Sequence, residues 1–318
     1  MSPSSVRPAS GDQWEIAAGP YRAQIASVGA TLRSLTMDGR DLVVPFAAGE
    51  VRPLYRGAVL APWPTRVVDG RYTADGAVRQ LPLTEPDRGH ALHGLALWLD
   101  FRARTATDTK VVLAATVEPQ AGYPHRLALE VCYEASAALG LTWSVAAANV
   151  GAGAAPYGCG PHPYLVAGPG RLDEWSLTLP ADMFAEVSGP RLLPGPVRAV
   201  DGLEFDFRAG RVLGAVEIDH AFGGVRWDGG RARAEVRDPS GTGVLVEWDR
   251  ACPWVQVHTA DRPAPEPNRL GLAVEPMTCP PDAFNSGVDL VWLAPGATHQ
   301  AAWRIAGWPD AGPKGATR

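Results

Sequence analysis

The sequence predicts an all-β protein of antiparallel strands, a large sandwich or a barrel. Three observations carry this. Apolar and polar residues alternate along several segments, the two-residue period of a half-buried strand. Asp-Gly dipeptides, which favour tight hairpins, recur along the chain. Helical periodicity is scarce, and strand-like segments are not followed by helix-like ones, which argues against a doubly wound or TIM-barrel design. The 318 residues include 35 glycines and 30 prolines, yet 46% of the chain is hydrophobic, so these breakers mark turns around a large core rather than low complexity.

The elements follow in chain order. Residues 1–12 are Ser/Pro/Gly-rich and are expected to form a flexible tail. Asp38-Gly39 marks a first turn. RVVDGRYTADGAVRQLPL, residues 66–83, reads as tight hairpins in succession at Asp69-Gly70 and Asp75-Gly76. RLALEVCYE puts Leu127, Leu129, Val131 and Tyr133 on one face of a strand, and LGLTWSVAAANV does the same with Leu141, Trp143 and Val145. Asp201-Gly202 and Asp228-Gly229 mark further turns. VLVEW (244–248) and WVQVHT (254–259) are β-branched, aromatic-rich strands. LAVEPM is a strand expected to stop at Pro276, which cannot donate to a ladder, leaving the Glu275 carboxylate at its rim. Residues 13–308 are expected to form one domain, followed by a second tail over 309–318.

Bulk properties narrow the function. A net charge of −5 without a basic cluster makes nucleic acid and anionic membranes poor partners. No apolar run approaches the ~20 residues of a membrane helix, and the first residues show no apolar leader segment. Cys132, Cys159, Cys252 and Cys279 are far apart and form no CxxC pair, which fits reduced thiols in a cytoplasmic protein rather than disulfides or a zinc site. GxSxG, Walker, HExxH and GxGxxG signatures are absent, and the histidines lack helical metal spacing, so no metal or cofactor is expected.

Five polar residues stand in Gly/Pro-shaped places. Arg66 follows two prolines and a tryptophan in APWPTR. His93 precedes a glycine in HALHGLALW. His162 sits between two prolines in YGCGPHPYL, just after two glycines. Asp219 lies in EIDHAF, and Glu275 in LAVEPMTCPPDAFN. Singly, each has an ordinary structural reading: a surface guanidinium, a hydrogen-bonded histidine, a turn cap, an edge charge. As a set they offer imidazoles, carboxylates, a guanidinium and nearby tryptophans at strand ends. That inventory suits a sugar, whose hydroxyls want bidentate charged partners and whose apolar faces pack on aromatic rings.

These segments, in this order, resemble the aldose 1-epimerase (mutarotase) family, in the flavour of a bacterial subgroup with HPY and PWPxR motifs. The resemblance runs over about residues 15 to 306. It implies a galactose mutarotase-like supersandwich of two large antiparallel sheets, with the sugar in an open cleft on one face. It implies His162 as general acid and Glu275 as general base, with Arg66, His93 and Asp219 on sugar hydroxyls. Gln256 of WVQVHT matches a glutamine of the same site. The implied reaction interconverts the anomers of a free hexose such as glucose or galactose, with no cofactor, in a monomer or homodimer. Two departures bear on the substrate. Thr65 stands where the family often has Asn before the arginine, and HGLALW lacks the cation that related sequences often carry before the tryptophan. The missing cation counts against an epimerase of a phosphorylated or sulfonated hexose. A non-catalytic sugar-binding module would need no acid–base pair. A glycoside hydrolase would pair Asp219 with Glu275.

Overall fold

The computed structural model describes residues 6–308. The expected C-terminal tail at 309–318 lies outside the described residues, as do residues 1–5 of the N-terminal one. Arg7 bonds to Asp12, Ser27 and Asp100, and Ser10 to the Ala48 carbonyl, so this stretch is tied to the body ahead of the first strand. Among the described residues, helix is confined to one short α-turn, Ala283–Ser286, and a few 3-10 turns. No helix there is long and apolar enough to cross a membrane.

The alternating segments become strands. Leu127–Ser136 and Gly140–Asn149 pair along their whole length, with Leu129, Val131, Tyr133, Trp143 and Val145 on the buried face. They belong to a nine-stranded antiparallel sheet. Its centre is Thr298–Trp308, flanked by Gly140–Asn149 and Gly243–Asp249. Trp143, Trp303 and Trp248 form one cross-strand row, all fully buried. Such rows of large same-face side chains fix register, because a one-residue slip of any one strand would turn its indole to the opposite face.

A second, six-stranded sheet runs in the order Tyr164–Leu165, Leu272–Met277, Trp254–His258, Asp219–Val225, Ala181–Ser188, Leu193–Ala199. Its inner face presents Phe222, Val255, Val257 and Val274 to the core shared with the larger sheet. Trp303 Nε1 donates to the Pro276 carbonyl at 3.1 Å, tying the two sheets together behind the site. A four-stranded meander from Gln13 to Asp41 packs Ile16, Ile25 and Leu35 into the same core. The large antiparallel sheets expected from the sequence are therefore present, layered around one shared core.

Asp38-Gly39 and Asp75-Gly76 each close a two-residue hairpin with both φ angles positive, as a type I′ turn requires. Asp69-Gly70 instead lies in the 3-10 turn Val68–Gly70, so residues 66–83 hold one hairpin rather than a succession. Asp228-Gly229 carries the chain from the six-stranded sheet to the nine-stranded one.

Pro276 does not stop its strand. Leu272–Met277 runs through it, and Glu275 sits mid-strand, buried, not at a rim. The reason is the side on which the donor is missing. Val274 N–H donates to Pro163 O and Thr278 N–H to Cys159 O, so position 276 faces segment 159–163. That side carries strand pairing only at Tyr164 and Leu165, so the proline costs no ladder bond.

Candidate active site

The period-2 rule places the site. Asp219, His258 and Ala273 are cross-strand partners and so share a face, as do Ala221, Gln256 and Glu275 one step along. Their in-between neighbours Phe222, Val255, Val257 and Val274 point to the core, so both rows face outward, away from the core. Loops complete a cleft of about 180 Å³ over these rows, lined by Thr65, Arg66, Glu85, His93, His162, Tyr55 and Tyr164 among others.

The GCGPHP backbone holds His162 by bonds on both sides. Gly158 N–H donates to Pro62 O, His162 N–H to Ala58 O, and Gly57 N–H to His162 O. Neither Gly158 nor Gly160 takes a positive φ; both serve close approach. A Cβ on Gly158 would sit 2.4 Å from Cys279 Sγ, and one on Gly160 3.1 Å from Met277 Cγ. Positive φ is found instead at Thr65 (+52°) and His93 (+63°), joined by His93 N–H donating to Thr65 O. A β-branched residue in that region is strained, and such strain gathers at functional sites.

All six residues expected from the sequence line this cleft. His162 Nε2 lies 3.4 Å from Glu275 Oε1, and the two side chains are 4% and 1% exposed. The His162 ring stacks on Tyr164 and meets His93 edge to face, while His93 meets Tyr55. Arg66 grips Glu85 with two bonds, Nε–Oε2 2.8 Å and Nη2–Oε1 3.1 Å, and reaches Asp219 Oδ2 at 3.4 Å. Gln256 Nε2 donates to Asp219 Oδ1 at 2.7 Å. Among the described residues, five buried side-chain atoms of the cleft have no partner: Thr65 Oγ1, His93 Nδ1, His162 Nδ1, Gln256 Oε1 and Glu275 Oε2. Buried polar atoms are ordinarily bonded, so five such atoms on the residues of one cleft are an unusual concentration of unspent hydrogen-bonding capacity.

A model of the aldose 1-epimerase family matches residues 12–306. The chain belongs to that family. It is 38% identical over 300 residues to the uncharacterized protein YihR of Escherichia coli (strain K12), covering 94% of each chain. It shares the fold of a GalM/aldose epimerase homologue from C. elegans (TM-score 0.82, 20% identity, 93% of this chain and 98% of that one). It also shares that of a galactose 1-epimerase from Lactobacillus acidophilus NCFM (TM-score 0.79, 18% identity, 95% and 96%).

Electrostatics divides the titratable groups of this family member. Burial, reinforced by the His258 charge, pushes the His162 imidazole down to about 3. Burial, then Asp219, drives the Glu275 carboxyl well above its usual range. His93 is held well below its ordinary value by burial and by His162. Burial works against the Asp219 carboxylate, but His258 and Arg66 overcome it and lower its pKa. The same contest at Arg66 ends upward, because Asp219 and Glu85 outweigh burial. So Asp219 and Arg66 keep their charges, while His162 and Glu275 are pressed toward neutrality.

Sequence reasoning missed Glu85, His258 and Tyr55. His258 was open to it, lying two residues after Gln256 and so on the same strand face. Glu85 and Tyr55 sit in turns without a period, and only the fold brings them in. The tryptophans expected to stack on a sugar are elsewhere. Trp63 is core, and Trp98 lies 55% exposed against the Arg52 guanidinium, so the cleft's aromatic walls are tyrosines. His90, three residues before His93, has partners of its own: its Nε2 contacts Arg191 O and its Nδ1 accepts from Asp69 N–H. Among the described residues no cluster of three His, Cys, Asp or Glu has metal-binding geometry.

Proposed function

We propose that the protein is an aldose 1-epimerase that interconverts the α and β anomers of a free hexose such as glucose or galactose. His162 and Glu275 are the proton-transfer pair, and Arg66, His93, Asp219 and Gln256 hold hydroxyls. The observation that carries this reading is the set of five unpartnered buried atoms, two of them on the acid–base pair itself. A binding module needs hydroxyl partners but no such pair.

Ring opening needs one group to take the C1 hydroxyl proton and another to give a proton to the ring oxygen. Closure on the other face reverses the roles. The pair has two one-proton forms, carboxylic acid with imidazole and carboxylate with imidazolium, of equal net charge and one proton transfer apart. Burial favours the first in the protein alone. A sugar hydroxyl donating to Glu275 Oε2 favours the second, since hydrogen bonds to a carboxylate stabilise its charge. Such groups typically contribute ~10²–10⁴-fold each. Asp219 is kept charged beside His258 and Arg66, with Oδ1 held by Gln256 and Oδ2 only loosely contacted at 3.4 Å, which suits it to accept from a sugar hydroxyl. The guanidiniums lining the cleft, Arg66, Arg88 and Arg262, are each paired with a carboxylate, which favours a neutral sugar over a phosphorylated or sulfonated one.

Polarimetry of freshly dissolved α-D-glucose and α-D-galactose tests this directly. Faster decay to the same equilibrium rotation is expected. No acceleration with either sugar, in a folded protein, would reject the reading.

A further inference from the structure

Glu85 belongs to no strand, and no motif marks it. Its place is nevertheless tightly built. Its N–H donates to His90 O, Gly89 N–H returns a bond to its carbonyl, and Thr84 Oγ1 accepts from Leu92 N–H. The loop is clamped from the six-stranded sheet: Arg88 Nε donates to Pro190 O and Arg191 Nε to Arg88 O. The Glu85 carboxylate therefore reaches the cleft on a fixed backbone, 10% exposed, with both oxygens committed to guanidiniums.

We propose that Glu85 is a positioning residue that locks the Arg66 guanidinium in one orientation and holds it off Asp219. Arg66 has two carboxylates to choose between. To Glu85 it makes a two-point contact at 2.8 and 3.1 Å; to Asp219 it makes one long contact at 3.4 Å. Bidentate, charge-assisted pairing is both stronger and directional, so Glu85 wins. Two consequences follow for the cleft. Arg66 Nη1 is left as the guanidinium nitrogen without an acceptor among the described residues, free to donate to a ligand. Asp219 Oδ2 is only weakly occupied and remains able to accept from a hydroxyl. Without the Glu85 carboxylate, Arg66 closes on Asp219, and donor and acceptor cancel each other.

In its effect on sugar binding this inference rests on the epimerase reading above; in its effect on Arg66 it does not. The test therefore has two readouts on the full chain carrying Glu85→Gln and Glu85→Asp. The first is the arginine side-chain nitrogen NMR spectrum, with Arg66 assigned by its loss in Arg66→Lys. Wild type is expected to show separate, slowly exchanging Nη signals for Arg66; Glu85→Gln merges or shifts them, and Glu85→Asp restores them in part. The second is steady-state anomer exchange. Loss of one charge-assisted pair should raise KM by about tenfold with a smaller change in kcat, and Glu85→Asp should recover part of it. Unchanged Arg66 signals in Glu85→Gln would overturn the proposal, as would a fall in Tm with KM unmoved. If wild type accelerates no hexose, the epimerase reading fails, and the Arg66 spectrum alone decides whether Glu85 positions it.

Discussion

Glu275→Gln probes the proposed proton-transfer pair with almost no change of shape. The side chain is 1% exposed, its Oε2 has no partner, and its Oε1 lies 3.4 Å from His162 Nε2. A carboxamide fills the same space but neither takes nor gives a proton. One such group is worth ~10²–10⁴-fold, so we expect a loss of about 10³ in kcat. The pair acts as a unit, so Glu275→Gln with His162→Gln should lose little more than either alone. Stability moves the other way. Burial raises the Glu275 pKa, so above the ordinary carboxylate range the folded state keeps a proton that the unfolded chain has released. Wild-type stability therefore falls as pH rises from that range toward the folded pKa. Glu275→Gln removes this slope, matching wild type in acid and exceeding it at neutral and higher pH. NMR exchange between anomer signals reads the first effect, and Tm against pH reads the second. Activity within tenfold of wild type, or losses that multiply in the double variant, would refute the assignment of the pair.

The remaining predictions concern the His162 side of the site. Because burial and the His258 charge depress His162 from 6.5 to about 3, the unfolded chain binds a proton there that the folded state refuses. Stability should thus drop as pH falls from about 6.5 toward 3, and His162→Gln should flatten that limb; superimposable pH–Tm curves would contradict the burial argument. Gly158→Ala puts a methyl 2.4 Å from Cys279 Sγ and should cost roughly 1–3 kcal/mol of unfolding free energy. Cys279→Ala in the same chain should return much of that loss, measured by urea unfolding, and additive losses would disprove the contact.

How much of this was legible in the sequence depended on whether a residue's role was local. Alternation marked the strands carrying Leu129, Trp143 and Val255 because the two-residue period is a property of the segment itself. Turn chemistry was less faithful. Asp75-Gly76 closes a hairpin, but Asp69-Gly70, the same dipeptide, sits in a 3-10 turn, because tertiary contacts decide what a flexible pair does. Pro276 misled for a related reason. Whether a missing donor matters depends on which neighbour it faces, and that is set by the sheet. The site residues of the family resemblance all reached the cleft, whereas Glu85 and Tyr55 had no periodic or motif signal to betray them.

The 3.4 Å gap between His162 and Glu275 has a cause outside the two side chains. Two buried polar groups of opposite tendency would close on each other if either segment were free to move. The segments are instead stitched to one another: Cys159 N–H donates to Thr278 Oγ1, Thr278 N–H to Cys159 O, and Val274 N–H to Pro163 O. Behind them, Trp303 holds the Pro276 carbonyl from the larger sheet. The spacing of the pair is therefore fixed by backbone bonds on either side of it, not by contact within it. A general acid and a general base proposed to act on different oxygens of one sugar would need that arrangement, since a direct short bond between them would satisfy both before a substrate arrived. On the proposed assignment, the Gly/Pro restriction around His162 and the strand-borne Glu275 are two halves of one rigid frame that holds the two groups 3.4 Å apart.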